Sequence, residues 1–552
     1  MMQYTKYRPY PPMEMPNRKW PNNVITKAPR WCSVDMRDGN QALEIPMNLE
    51  EKLNFFRFLV NTGFKEIEIG FPAASDTEFE FTRALIDRNM IPDDVVVQVL
   101  TQSRPHIIKK TFEALKGAKQ AIVHLYNSTS TLQREVVFNH DMRQTIDLAV
   151  EGAKLLKESA KEMPETEFFF EYSPESFTGT EMPFAVEICN AVLDIWQPTP
   201  DHKAIINLPS TVEMATPNVY ADQIEYCCNN LKYRDSIYVS LHAHNDRGTA
   251  VAATELAMMA GADRVEGTLF GNGERTGNTD IMNVAMNLFS QGIDPELDFS
   301  NIDASIKIYE ESTRMKISPR HPYAGSLVYT AFSGSHQDAI RKGMEAMKNH
   351  PDRWEVPYLP IDPMDVGRNY DPIVRINSQS GKGGVAFILE QNYGLYLPKA
   401  FQQNFSSVTT SMSDQCHKDL TPSEIYNAFM EHYVDIRTPL ELVKYKEIVL
   451  SGHEDVAIEA TINYKGETLE ITGEGNGIIS ALCHALEAKF NIVMEVLDYC
   501  EHSMELGTKS RAISYIQIVD DQGGIYYGAG TSSNITKSSL RAVISTTNKI
   551  IK

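Results

Sequence analysis

Two histidines, His242 and His244, are separated by one residue at the end of an apolar run from Ile237 to Leu241. The run is typical of a strand that is buried on both faces. Because alternate side chains of an extended chain share a face, both imidazoles point in the same direction. Such a pair suits a divalent metal ion. Two ordinary polar residues in a strand-to-helix loop have the same pattern, so other motifs must decide between the two interpretations.

The elements that would position this pair alternate regularly from residue 31 onward. Short β-branched or aromatic runs are followed by polar turns and amphipathic helices, which implies parallel strands joined by helical crossovers. Eight such units in roughly 250 residues favour a closed (β/α)8 TIM barrel over an open doubly wound sheet. No Gly-x-Gly-x-x-Gly follows the first strand, which weakens the dinucleotide-binding alternative. The predicted strands are Trp31–Asp35, Glu66–Phe71, Val95–Leu100, Ala121–Tyr126, Glu167–Tyr172, Ala204–Leu208, Ile237–Leu241 and Arg264–Leu269.

Local signals mark the ends of some of the helices between these strands. Asn48 and Glu51 have the spacing of a capped helix start, and Gly63 predicts the end of the same helix. Pro217 suits the first turn of a later helix.

Barrels carry their chemistry at the C-terminal ends of their strands, so the residues that follow each strand test the hypothesis. The first strand leads to Arg37 and Asp38, the fifth to Glu175 and the sixth to Thr211. The seventh supplies the two histidines, and the eighth opens into the glycine-rich segment Gly271–Asn278. An arginine, two carboxylates and two imidazoles are therefore expected at one rim.

The residue types at this rim predict a divalent metal site. Asp38, His242 and His244 would give one oxygen and two nitrogen ligands, and Asn278 is a candidate fourth ligand through its amide oxygen. Coordination positions would stay open for water or substrate, as in catalytic sites. Carboxylate with imidazole suits zinc, manganese or iron, whereas magnesium prefers oxygen ligands. The choice among Mg²⁺, Mn²⁺ and Zn²⁺ stays open.

Other rim residues are candidates for substrate binding or catalysis. Arg37 could bind a substrate carboxylate bidentately or stabilise an enolate oxygen, with a structural ion pair as the alternative. Glu175 is a candidate base, or a residue that orients one; a surface-loop glutamate is the alternative. Thr211 is a candidate for holding a substrate carboxylate. The glycines Gly271, Gly273 and Gly277 allow close backbone approach to a ligand.

In combination these motifs resemble the family of α-isopropylmalate synthases, which belongs to the Claisen-condensing barrels with the homocitrate and citramalate synthases. The resemblance covers nearly the whole chain after residue 30 and matches the longer form of the enzyme, found in some bacteria and fungi. It departs at Asn40, where many relatives of the shorter form carry glutamate. The segments that carry it are Arg37–Gln41, Phe170–Glu181, Asn207–Glu213, His242–Asp246, Gly271–Asn278 and Ser378–Gly384.

The resemblance implies a reaction in which acetyl-CoA, 3-methyl-2-oxobutanoate and water give 2-isopropylmalate and CoA, the first committed step of leucine biosynthesis. It implies that a metal on Asp38, His242, His244 and Asn278 acts as a Lewis acid on the 2-oxo acid.

The resemblance also assigns roles around this metal. Arg37 would stabilise developing negative charge, and Gln41 and Thr211 would bind the substrate. The glycines of Gly271–Asn278 become candidate contacts for CoA, and K⁺ becomes a candidate additional ion.

Residues 321–435 are predicted to form a mostly helical linker subdomain that completes the site. His336 lies before a helical pattern, a position more typical of a neighbour to a helix cap. The resemblance makes His336 a candidate base, assisted by Glu175, and Tyr370 a proton donor or orienting group, and the choice of base between His336 and Glu175 stays open. Relatives supply the matching histidine and tyrosine from the neighbouring subunit, which implies a catalytic homodimer.

Residues 436–552 are predicted to form an α+β regulatory domain of two βββα repeats. Such repeats could bury their apolar faces against each other. The resemblance implies that this domain binds leucine and inhibits the barrel; a plain dimerisation domain is the alternative. The predicted strands are Leu442–Leu450, Asp455–Tyr464, Thr468–Thr472, Ile492–Tyr499, Ala512–Val519 and Ile525–Tyr527.

Length and composition exclude several classes of protein. The 552 residues are too many for one core, and the net charge of −21 argues against general binding to nucleic acid or membrane surfaces. Seven dispersed cysteines and the lack of an apolar signal core predict a cytoplasmic protein with no membrane segment. Residues 1–30 are a proline-rich arm, and the sequence leaves open whether it wraps the barrel, wraps a neighbouring subunit or stays disordered.

Three alternatives to the condensation remain. Another Claisen-type synthase would make homocitrate or citramalate. A metal-dependent hydrolase on the same barrel would activate water and need no thioester. A non-catalytic sensor would bind leucine without turnover.

Overall fold

The computed structural model describes residues 3–6, 8–350, 352–370, 382–416, 420–450, 455–504 and 510–551. The chain divides into two compact units. The first comprises Met1–Val328 and Ile361–Asn369, and the second comprises Tyr329–Pro360 and Tyr370–Lys552. Residues 321–328 and 361–369 of the predicted linker therefore belong to the first unit.

A closed barrel of eight parallel strands, β1 to β8 in chain order, forms the centre of the first unit. Strand β8 returns to β1 through pairs that run from Arg30 with Arg264 to Ser33 with Gly267. This closure confirms the predicted TIM barrel. The strands are Arg30–Ser33, Glu66–Gly70, Val96–Gln102, Gln120–Ser128, Glu167–Glu175, Ala204–Ser210, Ile237–Ala243 and Arg264–Gly267.

Helices follow the strands, and their ends match the local signals in the sequence. Helix α1 begins with a reciprocal capping box between Asn48 and Glu51 and ends at Gly63, whose φ is 114°. Pro217 opens the sixth helix, α6. The helices α1 to α9 are Leu49–Thr62, Asp76–Asp87, Pro105–Leu115, Met142–Lys161, Met182–Trp196, Pro217–Asn230, Ala250–Met259, Ile281–Phe289 and Ile302–Thr313.

The interior of the barrel is charged rather than apolar. Arg264 is fully buried and donates hydrogen bonds to Glu66 at 2.5 Å, to Glu266 at 2.6 Å and to Gln98 at 2.7 Å. Because an unpaired buried charge is costly, these carboxylates and the guanidinium hold one another in place. Apolar side chains of the strands and helices, such as Phe56, form the surrounding core.

The proline-rich arm packs along the barrel of its own chain. Trp20 is buried, and its indole N–H donates to Asp222 on α6 at 2.7 Å. Within residues 3–6 and 8–29, the described part of the arm, the regular structure is limited to short turns at Tyr4–Lys6 and Trp20–Asn22.

The second unit begins with helices, as predicted for the linker. These helices, α10 to α13, are Gly334–Met347, Lys382–Tyr393, Lys399–Cys416 and Pro422–Tyr433. Phe405 and Phe429 of the last two helices share an apolar cluster with Tyr515 and Ala529 of the C-terminal sheet. This shared cluster crosses the boundary predicted at residue 436, and the four-segment division of the chain stays a prediction.

The remainder of the second unit is the predicted pair of βββα repeats. Each repeat is a three-stranded antiparallel sheet followed by one helix, and the two repeats bury a common core that includes Ile458, Leu482, Ile518 and Leu540. No helix in the described part of the chain is long and apolar enough to cross a bilayer. Strands β9 to β14 are Leu440–Val449, Val456–Tyr464, Glu467–Gly475, Glu495–Ser503, Ala512–Val519 and Ile525–Ser532; helices α14 and α15 are Ile478–Phe490 and Ile535–Ile550.

Candidate metal centre and active site

Asp38, His242 and His244 meet at the C-terminal end of the barrel. Asp38 lies in a π-helical turn, Asp35–Gly39, after β1, His242 lies in β7 and His244 follows that strand. One ligand atom of each residue lies within 4.8 Å of the other two. The two Nε2 atoms are 3.7 and 3.8 Å from Asp38 Oδ2. Metal–ligand bonds are about 2.0–2.2 Å long, so this spacing suits a single small cation.

The His242 ring is held by a carboxylate behind it. Its Nδ1 lies 2.7 Å from Glu266 Oε2, and Glu266 is itself bound by Arg264. A carboxylate on the distal nitrogen fixes the ring and leaves Nε2 directed at the cation position.

Asn278 brings a fourth oxygen to the same place. Its amide nitrogen donates to Asp38 Oδ2 at 2.7 Å and to the Asn272 carbonyl at 2.9 Å. Its Oδ1 is buried and has no hydrogen-bond partner among the described residues. A free amide oxygen beside a carboxylate and two imidazoles completes a donor set that fits a divalent cation.

The protonation of the cluster follows from burial and close charges. Burial disfavours the charged form of His242, but the nearby carboxylate of Asp38 and the hydrogen-bonded carboxylate of Glu266 raise its pKa to about 9. Burial and the charge on His242 lower the pKa of His244 to about 4. Burial also opposes ionisation of Asp38, yet Arg37 and His242 hold its pKa well below the usual range. Asp38 is therefore an anion and His244 is neutral near pH 7.

The glycine-rich segment is packed tightly against itself. Gly277 has a φ of 97°, and a Cβ there would overlap the Gly271 carbonyl oxygen. A Cβ on Gly273 would overlap the Asn278 amide. The Gly277 carbonyl accepts a hydrogen bond from the Asn245 N–H at 2.9 Å, which ties the segment to the chain just after His244. These contacts explain why glycines occur here, because the tight packing of the segment places Asn278. Contact of the glycines with CoA stays a prediction.

Arg37 is pinned between two carboxylates. Its Nε donates to Glu68, and its Nη1 donates to Asp38 Oδ1 at 2.7 Å. Burial works against its charge, but Glu68 and Asp38 more than compensate and raise the pKa of Arg37 above its ordinary value. The side chain is a permanent, oriented cation beside the ligand cluster, and both predicted interpretations, the ion pair and the contact with substrate, are compatible with this geometry.

A cavity of about 300 Å³ opens next to the cluster. Its lining combines charged and polar side chains with the apolar surface of residues such as Leu100 and Pro209. Its lining consists of Arg37, Asp38, Gln41, Leu100, His124, Tyr126, Ser173, Glu175, Asn207, Pro209, Thr211, His242, His244, Glu274 and Arg275.

The other rim residues predicted from the sequence also line this cavity. Glu175 is the last residue of β5 and accepts a hydrogen bond from Ser128. Thr211 follows β6, and its hydroxyl oxygen accepts from the Ser176 N–H at 2.9 Å. Gln41 donates to Glu274 at 3.3 Å.

His336 and Tyr370 belong to the second compact unit, whereas the cavity is lined by residues of the first. His336 lies in α10, and its ring stacks on Tyr358 at a centroid distance of 4.1 Å. Burial raises the pKa of Tyr370. Residues 378–381 of the Ser378–Gly384 motif lie outside the described residues.

Several side chains beneath the rim were not among the site residues predicted from the sequence. His124 bonds Glu68 through Nδ1 at 2.8 Å and Ser173 through Nε2 at 2.7 Å, and Asn207 donates to Ser173 at 2.9 Å. The signal was the alternation of charged residues within strands, such as Glu66 and Glu68, which conflicts with a simple apolar strand.

Glu68, His124 and Glu266 form a second group with ligand atoms within 4.8 Å of one another. Gln98 donates to Glu68 at 2.6 Å and to Glu266 at 3.1 Å, and Arg264 neutralises Glu266. Because protein donors already satisfy these carboxylates, the group is a charge network that supports His242 and Arg37 from below.

Three family models match the chain. A model described as HMGL-like matches residues 28–307, which contain the barrel and the ligand cluster. One described as "Alpha-isopropylmalate synthase, post-catalytic domain-like" matches residues 326–390. One described as "LeuA allosteric (dimerisation) domain" matches residues 419–551.

Curated relatives match over their full length. A protein of Acetoanaerobium sticklandii named 2-isopropylmalate synthase is 64% identical over 100% of this chain and 97% of its own. Proteins of the same name from Clostridium acetobutylicum and Rhodospirillum rubrum are 54% and 53% identical over 99% of this chain, covering 99% and 98% of their own lengths.

Proposed function

The chain belongs to the family of 2-isopropylmalate synthases, and from that premise we propose that it condenses acetyl-CoA with 3-methyl-2-oxobutanoate and water to give 2-isopropylmalate and CoA. It is then an acyltransferase of leucine biosynthesis. The observation that carries the proposal is the convergence of Asp38, His242 and His244 beside a cavity large enough for a small 2-oxo acid.

Asp38, His242, His244 and the Asn278 amide oxygen would hold the divalent cation. This cation would supply a Lewis acid for the carbonyl of the 2-oxo acid. The free Oδ1 of Asn278 and the Glu266 carboxylate behind His242 support this assignment. Mg²⁺, Mn²⁺ and Zn²⁺ all remain candidates, and CoA release by the metal-stripped protein after addition of each ion, with and without K⁺, compares them.

Arg37 and Thr211 would bind the oxygens of the substrate. Arg37 keeps its charge at every working pH and is oriented by Glu68, so it can stabilise negative charge without reorganising. The Thr211 hydroxyl lies at the cavity and can donate to a carboxylate while it accepts from the Ser176 N–H. Gln41 would contribute a further donor.

Proton transfer is assigned to three groups. A base must take a proton from the acetyl methyl group, and the resulting enolate then attacks the keto carbon, after which the thioester is hydrolysed. We assign the base to His336 of a neighbouring subunit, assisted by Glu175, and the orienting or donating role to Tyr370. The presence of Glu175 in the cavity and the match to a dimerisation domain support this arrangement.

The cavity supports a branched aliphatic 2-oxo acid. Leu100, Tyr126 and Pro209 are among its lining residues and give it apolar surface that an isopropyl group would contact. A second carboxylate placed against these side chains would be costly to bury.

A thiol-release assay with acetyl-CoA and a panel of 2-oxo acids tests the function. We expect release of CoA with 3-methyl-2-oxobutanoate and much less with pyruvate or 2-oxoglutarate, and loss of release after chelation of the metal. Preference for 2-oxoglutarate or pyruvate would instead indicate homocitrate or citramalate synthesis. No release with any 2-oxo acid would reject a synthase.

We also propose that the C-terminal domain binds leucine and inhibits the barrel. The support is the match of residues 419–551 to an allosteric domain and the two repeats that share one core. Titration of the same assay with leucine, and with isoleucine as the control, tests it. Equal insensitivity to both amino acids would leave the domain as a dimerisation module.

A further inference from the structure

We propose that Tyr10, in the N-terminal arm, is a positioning residue. It holds in place the two loops at the rim beside Glu175 and Thr211, where the substrate is proposed to bind. The inference rests on the proposed function, because it concerns how Thr211 and Glu175 are placed for a 2-oxo acid. Neither the family motifs nor the ligand cluster involves the arm.

The arm is fastened to the barrel by two buried carboxylates of α6. Asp222 accepts from the Trp20 indole at 2.7 Å and pairs with Arg18 at 2.8 Å. Glu225 accepts from the backbone N–H groups of Lys19 and Trp20 at 2.8 and 3.0 Å. Both carboxylates are nearly inaccessible to solvent. Because charge-assisted hydrogen bonds are about twice as strong as neutral ones, this anchor limits the freedom of the preceding residues.

Tyr10 precedes this anchored segment and contacts the loop after β5. Its hydroxyl donates to the Thr178 carbonyl at 2.5 Å and accepts from the Gln223 side chain of α6 at 2.8 Å. The side chain is half-buried, and burial raises its pKa, so the hydroxyl stays a donor. The contact joins the arm, helix α6 and the loop at one atom.

The loop in turn fixes both substrate-side residues. The Thr178 hydroxyl donates to the Val212 carbonyl at 3.1 Å, and the Ser176 N–H donates to Thr211 Oγ1 at 2.9 Å. Ser176 has a φ of 60°, a conformation that a serine keeps only when its surroundings require it. Glu175 is the residue directly before it. Thr178 therefore links Tyr10 to the loop that directly follows Glu175 and to the loop that carries Thr211.

This linkage predicts a selective kinetic effect. Without the Tyr10 hydroxyl, the Thr178 carbonyl loses a partly buried partner and the two loops lose a shared constraint. Loss of one such bond is expected to raise KM for the 2-oxo acid about five- to tenfold. KM for acetyl-CoA is expected to change less than KM for the 2-oxo acid, because Thr211 is assigned to the 2-oxo acid.

The experiment compares Tyr10→Phe with Tyr233→Phe in the full chain. Tyr233 is the matched control, because its exposed hydroxyl donates to Asp194 before β7, at the opposite end of the barrel. Hydrogen exchange of segments 173–182 and 209–214 is followed by mass spectrometry beside the kinetics. We expect faster exchange in both segments and the higher KM in Tyr10→Phe only. Gln223→Leu, which keeps the bond from Tyr10 to Thr178, should give a smaller change.

The outcomes separate this inference from the proposed function. Unchanged exchange in both segments overturns it whatever the kinetics, and faster exchange with an unchanged KM also overturns it. If the unmodified enzyme releases no CoA with any 2-oxo acid, the proposed function fails, and binding of 3-methyl-2-oxobutanoate measured by calorimetry replaces KM. Should Tyr10→Phe not fold, Gln223→Leu is compared with Tyr233→Phe instead; faster exchange in both segments with a smaller rise in KM is then expected, and unchanged exchange overturns the inference.

Discussion

At the scale of single residues, the site depends on charged side chains that are oriented by ion pairs and hydrogen bonds with other charged side chains. His242 lies between Asp38 and Glu266, and Arg37 lies between Asp38 and Glu68. Each of these side chains is buried or nearly so, and each would be costly to bury alone. The cluster therefore has little freedom to rearrange, which is the property that a preorganised catalytic site needs.

His244 offers the cleanest test of the ligand assignment, because its Nδ1 has no hydrogen-bond partner among the described residues. We expect His244→Ala to lose bound metal and to lower kcat at least about a hundredfold, with little change in thermal stability. Metal content by mass spectrometry, CoA release and circular dichroism measure these quantities. The control is His202→Ala, an exposed histidine that stacks on Phe169. Full activity of His244→Ala after metal removal would contradict the assignment.

Asp35 gives a prediction about pH. Its buried carboxyl accepts hydrogen bonds from the Leu269 N–H and from Ser33, yet burial raises its pKa from 3.8 to about 7. The folded state therefore binds a proton that the unfolded state has released, and its contribution to stability is complete below pH 3.8 and is lost as the pH rises to about 7.

Asp35→Asn removes this titration. Urea unfolding measures the free energy of unfolding of both proteins at each pH. Relative to Asp35→Asn, we expect this free energy to fall for the unmodified chain between pH 5 and pH 7, by up to about 1.4 kcal/mol per pH unit. Parallel pH profiles of the two proteins would contradict the prediction.

At the scale of elements, the loop after β8 shows why a glycine-rich motif need not contact a ligand. Gly277 is required by its positive φ and by the Gly271 carbonyl, and the adjacent Asn278 reaches the ligand cluster as a result. The sequence predicted that these glycines let the backbone approach a ligand closely. In the structure they let the backbone at Gly277 approach the backbone at Gly271 closely.

Gly277→Ala should therefore act on the metal site through the loop. The added Cβ must displace Gly271, so we expect metal affinity to fall at least about tenfold. Gly292→Ala is the matched control, because Gly292 has a φ of 76° and nothing within 4 Å of an added Cβ. Calorimetric titration of both metal-free variants measures the difference. Equal affinities would show that the loop does not position Asn278.

At the scale of the whole molecule, the cavity belongs to one compact unit and the candidate base to the other. The proposed homodimer, in which each barrel receives His336 from its neighbour, is supported by the match of residues 419–551 to a dimerisation domain. A symmetric dimer exchanges such residues reciprocally.

Mixed dimers of His244→Ala and His336→Ala chains test this arrangement. Each variant alone should be inactive. If His336 acts on the neighbouring barrel, a mixed dimer regains one intact site, and random mixing should restore about one quarter of the natural activity. The mixture is refolded or co-expressed, and CoA release is normalised to dimer content by size-exclusion chromatography with light scattering. Activity that stays at the level of the separate variants would place His336 on its own barrel.

The sequence alone was sufficient for the parts of this protein that arise from local patterns. Apolar runs and helix signals such as Asn48 and Gly63 depend on nearby residues, so all eight barrel strands and both repeats were predicted. The largest differences at strand ends lie in the second repeat, where the strand predicted as Ile525–Tyr527 continues to Ser532 and the strand predicted as Ile492–Tyr499 is Glu495–Ser503. Convergence of Asp38 with His242 also followed, because a closed parallel barrel brings all strand ends to one rim.

Only the tertiary structure decided which polar residues support that rim and where the arm lies. Glu66, His124 and Arg264 are far apart in the chain, and the sequence does not reveal that they share the barrel interior. The docking of Trp20 on Asp222 likewise depends on two segments separated by about two hundred residues. Pairings of this kind arise from packing and charge compensation between distant segments. A local periodicity in the sequence therefore does not predict them.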